Sequence, residues 1–158
     1  MHWCRNIRTR VWGRVLGFLT EIELGTETLT RHEAYTEKAI IFGIWPNGKL
    51  GPELARGVMR HTWQAIYKHF TMACPTVDNH TPWNPDHVIR DTFTTVVRAL
   101  RRAAHEITLE HYRGKYAGGD TIRPERLDKY KPLAEITDTG DIQIHPLLQD
   151  LMAHFGIE

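Results

Sequence analysis

Cysteine is scarce in this 158-residue chain: Cys4 and Cys74 are the only two, far apart and outside any CxxC. Reduced thiols are therefore expected, and not a disulfide framework. No apolar run approaches the roughly 20 residues of a membrane span, and the basic N-terminus lacks the apolar core of a signal peptide. The chain is accordingly read as soluble and cytoplasmic, with no membrane partner. An excess of charge is missing as well, since 20 Lys and Arg meet 19 Asp and Glu for a formal net charge of +1. That balance argues against a polycation that gathers nucleic acid by bulk charge and against an acidic mimic of nucleic acid. Internal repeats and coiled-coil heptads are also absent.

What is present suffices for one globular domain over 1–158. Apolar residues make up 41% of the chain, aromatics 9% and charged residues 25%, which is enough to fill a core and too little charge for general disorder. Net charge also conceals a gradient. Residues 1–14 carry Arg5, Arg8, Arg10 and Arg14 and no acid, whereas residues 132–158 carry five acids and no Lys or Arg. A basic face and an acidic face are the expected result, and solvated surface is their simplest explanation.

The hydrophobic pattern is mostly helical. Ile7, Val11, Val15, Phe18, Leu19 and Ile22 recur at three- and four-residue steps and predict a helix over about 5–22. Thr30 and Glu33 form a capping box before a helix over about 31–42, and 39–45 reads equally as helix or buried strand. Pro52 opens a helix with Leu54, Val58, Ala65, Ile66 and Phe70 on its apolar face, ending near Cys74. Three prolines make 74–86 a loop, with Asn84 as N-cap and Pro85 as first-turn residue of the next helix. That helix buries Ile89, Phe93, Val96, Leu100, Ala103 and Ile107 and is expected to end near 112–114. Residues 113–132 are a basic, Gly/Pro-rich connector. Alternation on either side of Asp138-Thr139-Gly140 predicts a small hairpin, and Pro146 and Gly156 bracket a last helix. The expected fold is mostly α: a bundle of about five helices with a small C-terminal β-hairpin.

Chemistry-bearing patterns are few. Ten histidines raise the question of a metal, but no two stand at i, i+4, and His105 and His111 are six apart, in neither an HExxH nor an HxxEH arrangement. His87 and Asp91 share a helical face and His80 precedes them, but a third ligand is not evident. Glu106 and Glu110 lie one turn apart, and Arg102 and Arg113 are placed to neutralise them. No catalytic residue, metal ligand or cofactor is assigned, and enzymatic activity is not expected.

Arg98 followed by His105 resembles the Arg/His pattern of HEPN ribonucleases, helical domains in which these two side chains act on a phosphodiester. Here Ala99 stands where those families place a polar residue. The resemblance implies a metal-independent ribonuclease using Arg98 and His105. Glu53-Leu54-Ala55 with Ala65 to Phe70 is similar to the ends of a repressor-type helix-turn-helix. The residues between lack the Gly of the turn, so one continuous helix is expected. Trp45 to Leu54 is similar to a stretch of Panacea-type antitoxin domains, departing at Lys49 and Gly51. Ten residues do not assign a family.

Binding is the remaining class. Arg98, Arg101, Arg102 and His105 fall on one helical stripe that leads into Arg113, Lys115, Arg123, Arg126, Lys129 and Lys131, with Tyr112, Tyr116 and Tyr130 interleaved. Cations neutralise phosphates and tyrosines stack on unpaired bases, so the stripe suits nucleic acid or a nucleoprotein complex. Arg98, Arg101, Arg102, His105, Arg113, Lys115 and Tyr116 are the residues expected to carry it. A protein-binding adaptor or inhibitor is the alternative, since Trp, Tyr and Arg anchor such contacts. The competing structural account is that the arginines pair with the acidic C-terminal segment of the same chain.

Overall fold

The computed structural model describes residues 7–19, 21–22, 53–73, 84–116, 127, 129–131, 133–137 and 141–158. Among these, the chain is mostly helical, with four helices and one two-stranded antiparallel sheet. That is one helix fewer than the five expected. The helix anticipated over 31–42, the ambiguous stretch 39–45 and most of the loop over 74–86 lie outside the described residues. The chain divides into two compact units, Met1–Thr94 and Thr95–Glu158.

In the first unit, the opening helix is π-helical over Ile7–Trp12 and α-helical over Gly13–Leu19 (α1). The sequence period anticipated an α-helix throughout; the wider i→i+5 turn instead sets Ile7, Val11 and Trp12, four and five residues apart, on one buried side. α2 runs unbroken over Glu53–Ala73, so the two short segments that resembled a helix-turn-helix belong to one helix. Leu54, Ala55, Val58, Met59, Ala65 and Ile66 are buried along it. Thr62 sits in the same stripe at 0% exposure, and its hydroxyl donates to the Val58 carbonyl at 2.8 Å. A buried hydroxyl costs free energy unless it is bonded, and the carbonyl four residues back meets that need within the helix.

α3 covers Pro85–Tyr116. Its start follows the sequence: the Asn84 side chain accepts from the Asp86 amide at 2.9 Å, and Pro85 occupies the position where an amide would have no partner. Val88, Ile89 and Phe93 are buried, Thr92 is tied back to the Val88 carbonyl at 2.8 Å, and the Phe93 ring meets Phe18 edge-on at 4.8 Å. Edge-to-face packing of this kind adds to the area buried. The helix continues to Tyr116, so the first four residues of the segment read as a connector over 113–132 are helical.

In the second unit, Ala103, Ala104, Ile107 and Leu127 form a buried cluster against which Tyr130 and Ile136 pack. β1 (Ala134–Ile136) and β2 (Ile142–Ile144) form the hairpin that the alternation predicted, and they pair with Ala134 opposite Ile144 and Ile136 opposite Ile142. Their turn residues 138–140 lie outside the described residues. α4 (Pro146–Phe155) is capped by His145, whose Nδ1 accepts from the Leu147 amide at 3.1 Å. Gly156 ends it with φ 63° and ψ 39°, the left-handed conformation that Gly adopts without steric cost. Leu148 and Met152 are buried, while Leu147, Leu151 and Phe155 are half-buried, less than the sequence reading expected of them.

Candidate nucleic-acid interface

Arg98, Arg101, Arg102 and His105 project from α3 and all four are exposed. Spacings of three, four and seven residues at 3.6 per turn put them on one stripe, and the buried face of the helix is the one carrying Val97, Leu100, Ala104 and Ile107. Local pattern alone explains this, since apolar and basic residues alternate in the period that separates two faces of one helix. Arg98, Arg102 and His105 make no ion pair with another described residue. The Arg101 guanidinium donates to the main-chain oxygen of Glu158, the last residue. Among the described residues, intramolecular neutralisation of this stripe by the acidic segment is thus represented by one bond, from Arg101 to the terminal residue Glu158.

Lys129 and Lys131 are exposed in the same unit. Tyr130 does not stand free among them: it packs on the Ala103–Leu127 cluster, and the Lys129 Nζ lies 5.2 Å from its ring centroid. That arrangement is a cation–π contact against a core residue, so the Tyr130 ring is turned to packing more than to a ligand. The side chains of Arg113, Lys115 and Tyr116, and residues Arg123 and Arg126, lie outside the described residues. Arg98 and His105 are two turns apart on one helix, about 10 Å along its axis, and both reach solvent.

A second group of polar side chains joins α2 to the first part of α3. Asp91 accepts from the Lys68 Nζ at 2.9 Å and from the His69 Nε2 at 2.8 Å, and the His87 ring lies 6.2 Å from that of His69. A carboxylate only accepts, so the hydrogen-bonded proton resides on Nε2. Burial raises the Asp91 carboxyl, but the hydrogen bonds and charges of Lys68 and His69 outweigh it and hold the group below its ordinary value. The sequence pointed to His87 and Asp91 as neighbours within one helix. It gave no sign of His69, because that partner comes from another helix and is brought in by packing. Asp91 is committed to a cation and an imidazole, and no group of three His, Cys, Asp or Glu among the described residues is placed to hold a metal ion.

No described helix is long and apolar enough to cross a membrane. Comparison with protein-family models, with curated proteins and with solved structures gave no match.

Proposed function

We propose that this chain is a small non-enzymatic binding protein that engages nucleic acid, alone or within a nucleoprotein complex, through the exposed stripe of Arg98, Arg101, Arg102 and His105. The observation that supports this reading is the exposure of all four side chains on one helical face, with Arg98, Arg102 and His105 unpaired with any described acid. Arg98 and Arg102 keep their charge for phosphate oxygens, to which guanidinium donates in pairs, and Arg101 is shared with the main-chain oxygen of Glu158. A net charge of +1 fits a local patch of this kind, which acts within a Debye length of about 8–10 Å.

Fluorescence anisotropy with labelled oligonucleotides at several salt concentrations tests the proposal. Each arginine on a phosphate adds close to one to the salt slope, so the triple change of Arg98, Arg101 and Arg102 to Ala should flatten it by about 2–3 and weaken binding. Binding that is unaffected by salt or by the triple change overturns it. Retention of a protein partner from the native host after nuclease treatment would favour the adaptor reading instead. RNA cleavage that His105→Ala abolishes would favour the ribonuclease.

A further inference from the structure

We infer that the outer face of α2 is a stacking surface for unpaired nucleobases, so that the ligand taken by this protein is single-stranded nucleic acid. The inference rests on the nucleic-acid reading above and adds to it a second contact and a ligand class. Four residues carry it. Arg56, Arg60, Trp63 and Tyr67 stand at i, i+4, i+7 and i+11, a spacing that keeps them within one narrow stripe about 16 Å long. All four are exposed, Trp63 by 43% and Tyr67 by 71%, in a helix whose opposite face buries Leu54, Val58, Thr62, Ala65 and Ile66. Among the described residues only Trp63, Tyr67 and Ile142 are large apolar side chains exposed to this degree, and two of the three are one turn apart on this stripe.

Trp63 is also held in place. Its ring lies 5.1 Å from that of Trp12 at an interplanar angle of 58°, and Trp12 itself is buried at 4% exposure. A ring propped by a core residue loses little rotational freedom when a base settles on it, which reduces the cost of binding. Charge decides the class of partner. From Leu54 to Ala73 the helix contains Arg56, Arg60 and Lys68 and not one Asp or Glu; Glu53, at its first residue, is the only acid. Lys68 is bound to Asp91, and Arg56 and Arg60 are the cations that share the aromatic stripe. Aromatic faces with interspersed guanidinium groups match bases and phosphates alternating along one strand. A duplex hides the faces of its bases and offers Trp63 and Tyr67 nothing to stack on.

The test compares a single-stranded oligothymidine with a duplex of the same length by anisotropy, using the full chain. Tyr67→Ala should weaken binding of the single strand about 5- to 150-fold, the range for loss of one stacked base, and leave the duplex unchanged. Tyr67→Phe, which keeps the ring, should restore it. Tyr67 is mostly solvent-exposed, so its removal does not threaten the fold. Where Trp12 support makes Trp63→Ala unsafe, Trp63→Phe serves: it should abolish most of the tryptophan quenching that oligothymidine causes in the parent protein. Equal single-strand binding by the parent and Tyr67→Ala, or a parent preference for duplex, overturns the inference while leaving the arginine stripe of α3 intact. Loss of binding with Tyr67→Ala but not with the triple arginine change would instead retain α2 and remove the α3 proposal. A parent protein that binds neither oligonucleotide but binds an acidic protein removes both.

Discussion

Replacing Asp91 by Ala asks whether the Lys68, His69 and Asp91 group ties α2 to α3 or only decorates their surfaces. Its two hydrogen bonds, 2.9 Å from Lys68 and 2.8 Å from His69, are unequal in worth. The Lys68 side chain is 61% exposed, so water screens that pair to about 0.5 kcal/mol. His69 is 18% exposed, and a hydrogen bond to a charged group is worth about 1.5–3 kcal/mol when well shielded; with Asp91 itself 34% exposed, about 1 kcal/mol is the appropriate share. The sum, about 1.5 kcal/mol, amounts to roughly 3–6 °C in Tm for a chain of this size. Urea unfolding should show the midpoint falling with the slope unchanged, because the surface exposed on unfolding stays the same.

Acid supplies a second arm to the test. Burial acts to raise the Asp91 carboxyl, and Lys68 and His69 override it, leaving the folded value below the ordinary 3.8. A carboxylate depressed on folding contributes stability that is fully present above its unfolded value and is lost as pH falls through the folded one. The gap between the parent and Asp91→Ala should therefore be complete at about pH 5 and narrow as pH falls below 3.8. Equal stability at about pH 5, or a gap that persists in acid, would refute the reasoning. Lys68→Ala is the internal comparison, and it should cost about a third as much as Asp91→Ala.

Glycine and core positions give further checks. Gly57 lies inside α2, and a Cβ built on it meets nothing within 4 Å, so Gly57→Ala should stabilise the protein by about 0.5–1 kcal/mol in urea unfolding. Gly156→Ala should do the opposite, by about 1 kcal/mol, because a side chain at φ 63° meets the following carbonyl. Leu100 is 0% exposed, and Leu100→Ala should cost about 2–5 kcal/mol, with near-parent stability arguing against the burial of this face. Asn84→Ala removes the acceptor for the Asp86 amide and should lower the unfolding free energy by about 1 kcal/mol in urea unfolding.

Local chemistry made much of this fold legible. Asn84 followed by Pro85 located the start of α3, Pro146 and Gly156 bracketed α4, and the alternation around Ile142 and Ile144 gave the hairpin, because each signal acts through residues adjacent in sequence. The missing Gly between Val58 and Thr62 correctly implied an unbroken α2. What escaped were relations made only by packing. His69 reaches Asp91 across two helices, Trp12 props Trp63 from another element, and Tyr130 turns onto Leu127 where a basic, tyrosine-bearing stretch had implied a free ring. Periodicity reports which face of a helix is apolar and is silent on which neighbour meets it. The candidate stripe on α3 was legible for the same reason as the core, its basic residues sharing the 3.6 period with the buried ones. The aromatic stripe on α2 obeys that period too, but attention to Leu54, Val58 and Ile66 as the apolar face hides a second set of apolar residues pointing the other way.

Near-neutrality sets the terms on which the arginine stripe can act. An acidic segment that cancelled the stripe within the molecule would have to place carboxylates against Arg98, Arg101 and Arg102 together. Among the described residues of the Thr95–Glu158 unit, the contact made by these three is Arg101 to the main-chain oxygen of Glu158, while Asp141 and Asp150 are exposed on the hairpin side and on α4. At the last residue of this chain that oxygen belongs to the α-carboxylate, so the bond engages the charge of one arginine of the three and leaves Arg98 and Arg102 with no described acid against them. Arg101→Lys separates the two roles. Lysine keeps the charge but not the planar fork, so it should preserve the salt slope of oligonucleotide binding while loosening the hold on Glu158. Faster amide exchange at the end of α4 in that variant, with an unaltered salt slope, is the expected pair of results. A flattened slope would instead mean that Arg101 acts on phosphate through its geometry.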